Sequence, residues 1–105
     1  MKINFANLSE QELIKIADYI EHHDKHSVFD VEYADGILNI NIFKTKQTYV
    51  INKHSASEKI WFSSPISGAN YFSYDEEKQQ WLDEKGNELE EILLSELKSN
   101  FEFVS

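Results

Sequence analysis

A chain of 105 residues, 41% hydrophobic and 13% aromatic, is one ordinary domain with its own core, and it has no apolar run near the ~18 residues of a membrane helix. A formal net charge of −9 argues against nucleic acid, whose phosphates need a positive footprint, and the lack of cysteine excludes disulfides, thiolate metal sites, a persulfide carrier and a cysteine nucleophile. Neither a secretory signal nor an Arg-rich leader is read at the start, so the expectation is one domain over residues 1–105, in the cytoplasm, with no membrane partner.

The first predicted element is a helix over about 9–23. Ser9 reads as its N-cap, Glu12 completes a capping box, and Leu8 and Leu13 form a hydrophobic staple across it. Leu13, Ile16, Ala17 and Ile20 then recur at helical spacing as one apolar stripe.

From Phe29 the period becomes two. Phe29, Val31 and Tyr33 alternate with Asp30 and Glu32, Asp35-Gly36 is a two-residue hairpin turn, and Leu38, Ile40 and Ile42 alternate with Asn39 and Asn41. Further strands are expected at about 47–53, 58–63, 69–75 and 80–83, with Ser64-Pro65-Ile66-Ser67-Gly68 as a loop. Asn87 is a candidate cap for a second helix reaching about Ser99, with Leu89, Ile92, Leu93 and Leu97 inward and Phe101 and Phe103 folding back as a tail.

Helix, five to seven antiparallel strands, helix is an α+β arrangement. Two helices with one apolar stripe each cover one sheet face, which predicts a two-layer α/β sandwich whose other face is left to water or a partner. The strand near Trp61 bears on this. Period two sends Ile60 and Phe62 to one face and Lys59, Trp61 and Ser63 to the other, so a tryptophan stands among polar neighbours on or beside the open face with Asn52 and Lys53. A binding role and simple shielding by a neighbouring strand or loop are both open at this point.

Charge is unevenly spread. Residues 1–43 carry three lysines against eight acids, residues 44–72 four lysines against Glu58 alone, and residues 73–105 three lysines against ten acids. The one basic third therefore contains Trp61. In the first third, Asp18 and Glu21 are three apart on the helix, Asp24 follows, Asp30 and Glu32 share one face of the first strand, and Asp35 sits at the hairpin. Acids near a helix C-terminus oppose its dipole, so stability alone would not choose them there. A solvated polar face and a weak, open, oxygen-donor cation site, suited to Fe(II), Mn(II), Mg(II) or Ca(II), are the two readings. His22 and His26, at i, i+4 spacing if the helix reaches that far, would add affinity for Zn(II), Ni(II) or Cu(II); cationic imidazoles offsetting the dipole are the plainer account. No phosphate loop, nucleophile elbow or paired His-Glu zinc motif occurs.

Tyr49-Val50-Ile51-Asn52-Lys53, then Ile60-Trp61 followed by Ser63-Ser64-Pro65, then Ser67-Gly68, with Trp81 five residues before Gly86 and a last helix from Leu89 to Leu97, resemble the frataxin family in its bacterial form, CyaY, over essentially the whole chain. The chain departs from that pattern at His54, Ala56 and Lys59, where the family usually has glutamine, proline and glutamine, and at Tyr71, where many relatives are basic. Lys59 is the residue placed to supply that charge from a neighbouring strand.

The resemblance implies a non-catalytic regulator or iron donor in iron–sulfur cluster assembly, with weak iron oxidation the one activity left open. Fe(II) or Fe(III) would be held weakly, other divalent cations also fitting, by Asp18, Glu21, His22, Asp24, His26, Asp30 and Glu32. The sheet face, through Asn52, Lys53, Lys59, Trp61, Ser63 and Tyr71, would dock on a cysteine desulfurase and its scaffold protein. A monomer without iron, with room for an iron-promoted oligomer, is implied as well. Two other readings stand beside it: a Zn, Ni or Cu buffer or sensor on His22 and His26, and a metal-independent acidic adaptor for a basic protein.

Overall fold

The helix begins a full turn earlier than its capping signals predict. In the computed structural model, which describes residues 4–101 (Ser99 and Phe101 by backbone only), α1 spans Phe5–His23 and its N-cap is Asn4, whose side chain accepts from the Asn7 amide at 3.2 Å. Ser9 is inside the helix, buried, and its Oγ donates to the Ala6 carbonyl at 3.2 Å; neither the capping box nor the staple forms. The reason is tertiary. Phe5 meets Trp81 edge-on at 5.9 Å and Leu8 packs on the core, so the extra turn is held by packing that local cap signals do not report. The stripe Leu13, Ile16, Ala17 and Ile20 is buried as expected.

Six strands follow, β1 (Phe29–Ala34), β2 (Ile37–Ile42), β3 (Gln47–His54), β4 (Lys59–Ser64), β5 (Gly68–Asp75) and β6 (Gln80–Leu82), each paired antiparallel with its sequence neighbour. Asp35 (φ 52°) and Gly36 (φ 77°) both take positive φ, as a type I′ turn requires. Glu58, expected to open β4, instead takes a φ of 55° in the preceding turn. Alternation is strict in the central strands: Leu38, Ile40, Tyr49, Ile51, Ile60, Phe62 and Phe72 are all buried on the helix side. This is the expected α+β two-layer sandwich, with both helices packed against one face of the sheet.

α2 (Leu89–Phe101) starts later than Asn87 predicts. The Asn87 amide nitrogens turn back to the Asp83 carboxylate, at 2.8 Å from the backbone and 3.2 Å from the side chain, and the Glu88 carbonyl takes the first helical bond from Ile92. Phe101 is the last described helical residue rather than part of a returning tail, and Phe103 lies outside the described residues. No helix among the described residues is long and apolar enough to cross a membrane.

One polar device ties this layer down. Glu96 of α2 accepts from the Tyr49 hydroxyl on β3 at 2.9 Å, from the Ser64 hydroxyl at the end of β4, and from the Ser67 hydroxyl in the next loop at 2.7 Å. The Ser64 oxygen in turn accepts from the amides of Ile66 and Ser67, so the helix, two strands and the loop share one carboxylate. Burial, reinforced by the neighbouring Glu96, pushes the Tyr49 hydroxyl well above the usual phenol range, so it stays a donor. Replacing Glu96 by Ala leaves at least one buried hydroxyl without an acceptor and is expected to lower unfolding free energy by about 1–3 kcal/mol. Urea denaturation checks this; an unchanged midpoint would mean the clamp contributes nothing.

Candidate functional site

The face that the helices leave uncovered carries an ordered row. Register pairs Ile37 with Asn52, Asn52 with Trp61 and Trp61 with Tyr71, so four adjacent strands present these side chains side by side. Trp61 is half-buried by its neighbours, while Ile37 is 38% and Tyr71 49% exposed. Lys59 and Ser63 flank Trp61 on the same face, with Ser63 opposite Val50 and Ala69. Ile37 was not among the expected partner residues, though its signal equals that of Trp61: an apolar side chain in phase with the polar Asn39 and Asn41.

Lys53 is the exception. It pairs with fully buried Ile60, which places it on the helix-side face rather than on the open one. Its amide donates to the Gly36 carbonyl at 3.0 Å, and its side chain lies across the hairpin so closely that a Cβ on Gly36 would come within 2.6 Å of Lys53 Cε. The aliphatic stem therefore covers the β1–β2 turn.

The acidic residues fall into two groups. Asp18, Glu21 and His22 are exposed on the outer side of α1, where they line one shallow hollow with Ile14, Tyr19 and His23. Asp30 and Glu32 stand opposite Asn41 and Asn39, on the sheet face that carries Trp61. α1 packs chiefly over β1, which is an edge strand, so the two groups flank that edge from opposite layers. Among the described residues, no three His, Asp or Glu side chains converge into a group able to hold a metal ion.

Of the expected ligands, Asp24 is committed elsewhere and His26 is displaced from the helix. Asp24 closes the end of α1, one carboxylate oxygen accepting from the Val28 amide at 2.8 Å and the other from the Phe29 amide at 3.0 Å. The helix ends at His23, so His26 lies in the turn beyond it and the i, i+4 geometry needed for a His22–His26 chelate is absent. His23, outside the expected ligand set, is better defined. His23 Nδ1 donates to the Tyr19 carbonyl at 2.8 Å, its ring stacks on Tyr19 at 4.0 Å, and His22 meets it edge-on at 5.1 Å.

A family model for the frataxin-like domain matches residues 1–103. Mitochondrial frataxin of Dictyostelium discoideum is 44% identical over 72 residues, 68% of this chain and 37% of that protein. Mitochondrial frataxin of Caenorhabditis elegans is 34% identical over 98 residues, 90% of this chain and 72% of that protein. The chain thus spans well under half the length of the first and most of the second. In structure it is similar to a trimeric frataxin of Saccharomyces cerevisiae crystallised with ferrous iron, with a TM-score of 0.75 at 26% identity over 98% of this chain and 90% of that one.

The role of Asp24 separates stability from metal binding. Asp24→Ala removes the acceptor of two amides at the α1–β1 junction and is expected to cost about 1–3 kcal/mol, read by thermal or urea denaturation. Wild-type stability in this variant would show that the two bonds are not needed there.

Proposed function

The chain belongs to the frataxin-like domain family, and on that premise we propose that it is a non-catalytic iron-binding protein of iron–sulfur cluster assembly, a regulator or iron donor that docks through its open sheet face. The observation that carries the docking half is the row Ile37, Asn52, Trp61 and Tyr71, four side chains in register on the face that no helix covers. A half-buried tryptophan between an amide and a tyrosine, ringed by Lys59 and Ser63, has the make-up of a protein-binding hot spot. The partners proposed for it are the cysteine desulfurase and its scaffold protein.

For iron, the supported donors are Asp18 and Glu21 on α1, with His22 beside them, and Asp30 and Glu32 across the β1 edge. Open carboxylates of this kind take hard cations without the fit of a closed cage, so binding of Fe(II) or Fe(III) is weak and poorly selective, and other divalent cations compete. The ferrous complex of the yeast relative supports iron as cargo, and its trimeric state supports an oligomer under iron load, the iron-free chain being monomeric in this proposal. Weak iron oxidation is the only chemistry such a surface would perform. The buffer or sensor reading built on His22 and His26 lacks its helical geometry and is not carried forward. Nucleic acid and membranes stay outside the proposal, and so does a metal-independent adaptor role. The cytoplasm remains a proposal from the sequence; the two curated relatives are mitochondrial by name.

Trp61→Ala is expected to weaken binding to the desulfurase–scaffold complex by about 2 kcal/mol or more while leaving the fold intact, measured by calorimetric titration beside a denaturation curve. Equal affinity would take Trp61 out of the interface. In a separate Fe(II) titration followed by amide shifts, Asp18→Asn with Glu21→Gln is expected to lose the shifts along α1; their persistence would move the iron elsewhere.

A further inference from the structure

Glu12 is the residue that the proposed function leaves unexplained. It was expected to complete a capping box, yet it is only 9% exposed and lines a cavity with the start of α2. There it meets another acid: Glu12 and Glu90 line one cavity between the two helices. Glu88, just before α2, adds a third carboxyl to the same cavity of about 410 Å³. Among the described residues the one ion pair in the cluster is Lys15 Nζ to Glu90 at 3.1 Å, with the Lys15 side chain 67% exposed.

Every element packed on this spot contributes a charge or a wall. α1 supplies Glu12 and Lys15, the start of α2 supplies Glu88 and Glu90, and the β5–β6 hairpin supplies Lys78 and the rings of Tyr74 and Trp81. Phe5 at 5.9 Å and Tyr74 at 5.4 Å close on Trp81 edge-to-face, so one side of the cavity is aromatic while the other is polar and open to water. With Lys15 already paired to Glu90, ionising a carboxyl as buried as Glu12 beside Glu88 and Glu90 adds a negative charge that has no ion pair of its own.

We propose that Glu12 and Glu90 share one proton across the α1–α2 contact, and that this proton is a latch that holds the helix layer shut. With the proton present, the Glu12 hydroxyl donates to the Glu90 carboxylate, which also accepts from Lys15. When the proton leaves to water, two adjacent negative charges and Glu88 face one lysine, and the first turn of α2 is pushed from α1.

Burial, and then the hydrogen bond and charge of Glu90, raise the Glu12 carboxyl from 4.5 to about 8, with Lys15 acting the other way. A carboxyl raised in the folded state binds more protons folded than unfolded. The stability it supports therefore falls steadily as pH climbs from about 4.5 to about 8 and levels off above that. The same linkage makes any opening that exposes Glu12 roughly tenfold more frequent per pH unit within the window.

The direct test is a ¹³C titration of the side-chain carboxyls in the intact protein. A Glu12 midpoint near 8 supports the latch, and one near 4.5 overturns it. Two variants add a readout that plain packing would not move. Lys15→Met is expected to raise the Glu12 midpoint further, and an unmoved or lowered midpoint counts against the cluster. Glu12→Gln is expected to abolish the added pH dependence of amide exchange at Leu89–Leu93, after correction for intrinsic rates; a wild-type slope in that variant would overturn the proposal.

Discussion

Two helices with one apolar stripe each are too narrow to cover both faces of a six-stranded sheet, and most of what this domain displays follows from that shortage of cover. The helix side absorbs Tyr49, Phe62 and Phe72 into a continuous core. The other side must be soluble yet cannot be featureless, because strict alternation gives every central strand an outward set. Asn39, Asn41, Thr48, Asn52, Ser63 and Ser73 keep much of that set polar. Where it is Ile37, Trp61 and Tyr71, the sheet offers contact area across four adjacent strands, with Asn52 between Ile37 and Trp61.

Carboxylates do two kinds of work here, and the split explains why an acidic chain is not a uniformly repulsive one. Asp24, Asp83 and Glu96 accept bonds from amides and hydroxyls of other elements and so act as joints: α1 to β1, the loop before α2 to itself and β5, and α2 to the sheet. Asp18, Glu21 and Glu32 are displayed, with solvent around them. Only the displayed set is free to meet a cation without the fold giving up a bond. A count of acids along the sequence does not distinguish the two sets, since each joint is defined by a partner far away or by a turn.

That distinction also marks how much could be read in advance. Periodicity carried the strands, their faces and the open sheet, because a one-residue slip would have reversed Ile60 and Trp61 together. Cap signals failed at both helix starts. Ser9 had a Glu at the right spacing, but Phe5 and Leu8 found Trp81 and the core, and Asn87 was drawn to Asp83 by the turn it belongs to. Lys53 sat beside Asn52 in sequence and so on the opposite face in space. His26 needed one more helical turn, which Asp24 ends. Glu12 and Glu96 were illegible as special residues, since what sets them apart is a partner on another element: Glu90 in one case, Tyr49 and Ser64 in the other.

The strand order is the same as the sequence order, and this bears on how the chain reaches its fold. Each strand finds its partner across a short turn, so every ladder closes a small loop and loses little chain entropy in doing so. The helix layer is different. Lys15 and Glu90 are 75 residues apart, and bringing α1 against the start of α2 closes nearly the whole chain. In a molecule whose sheet is assembled from neighbours, the costly long-range steps are those that bring the helices onto distant strands and onto each other, so the helix layer is where opening returns the most chain entropy.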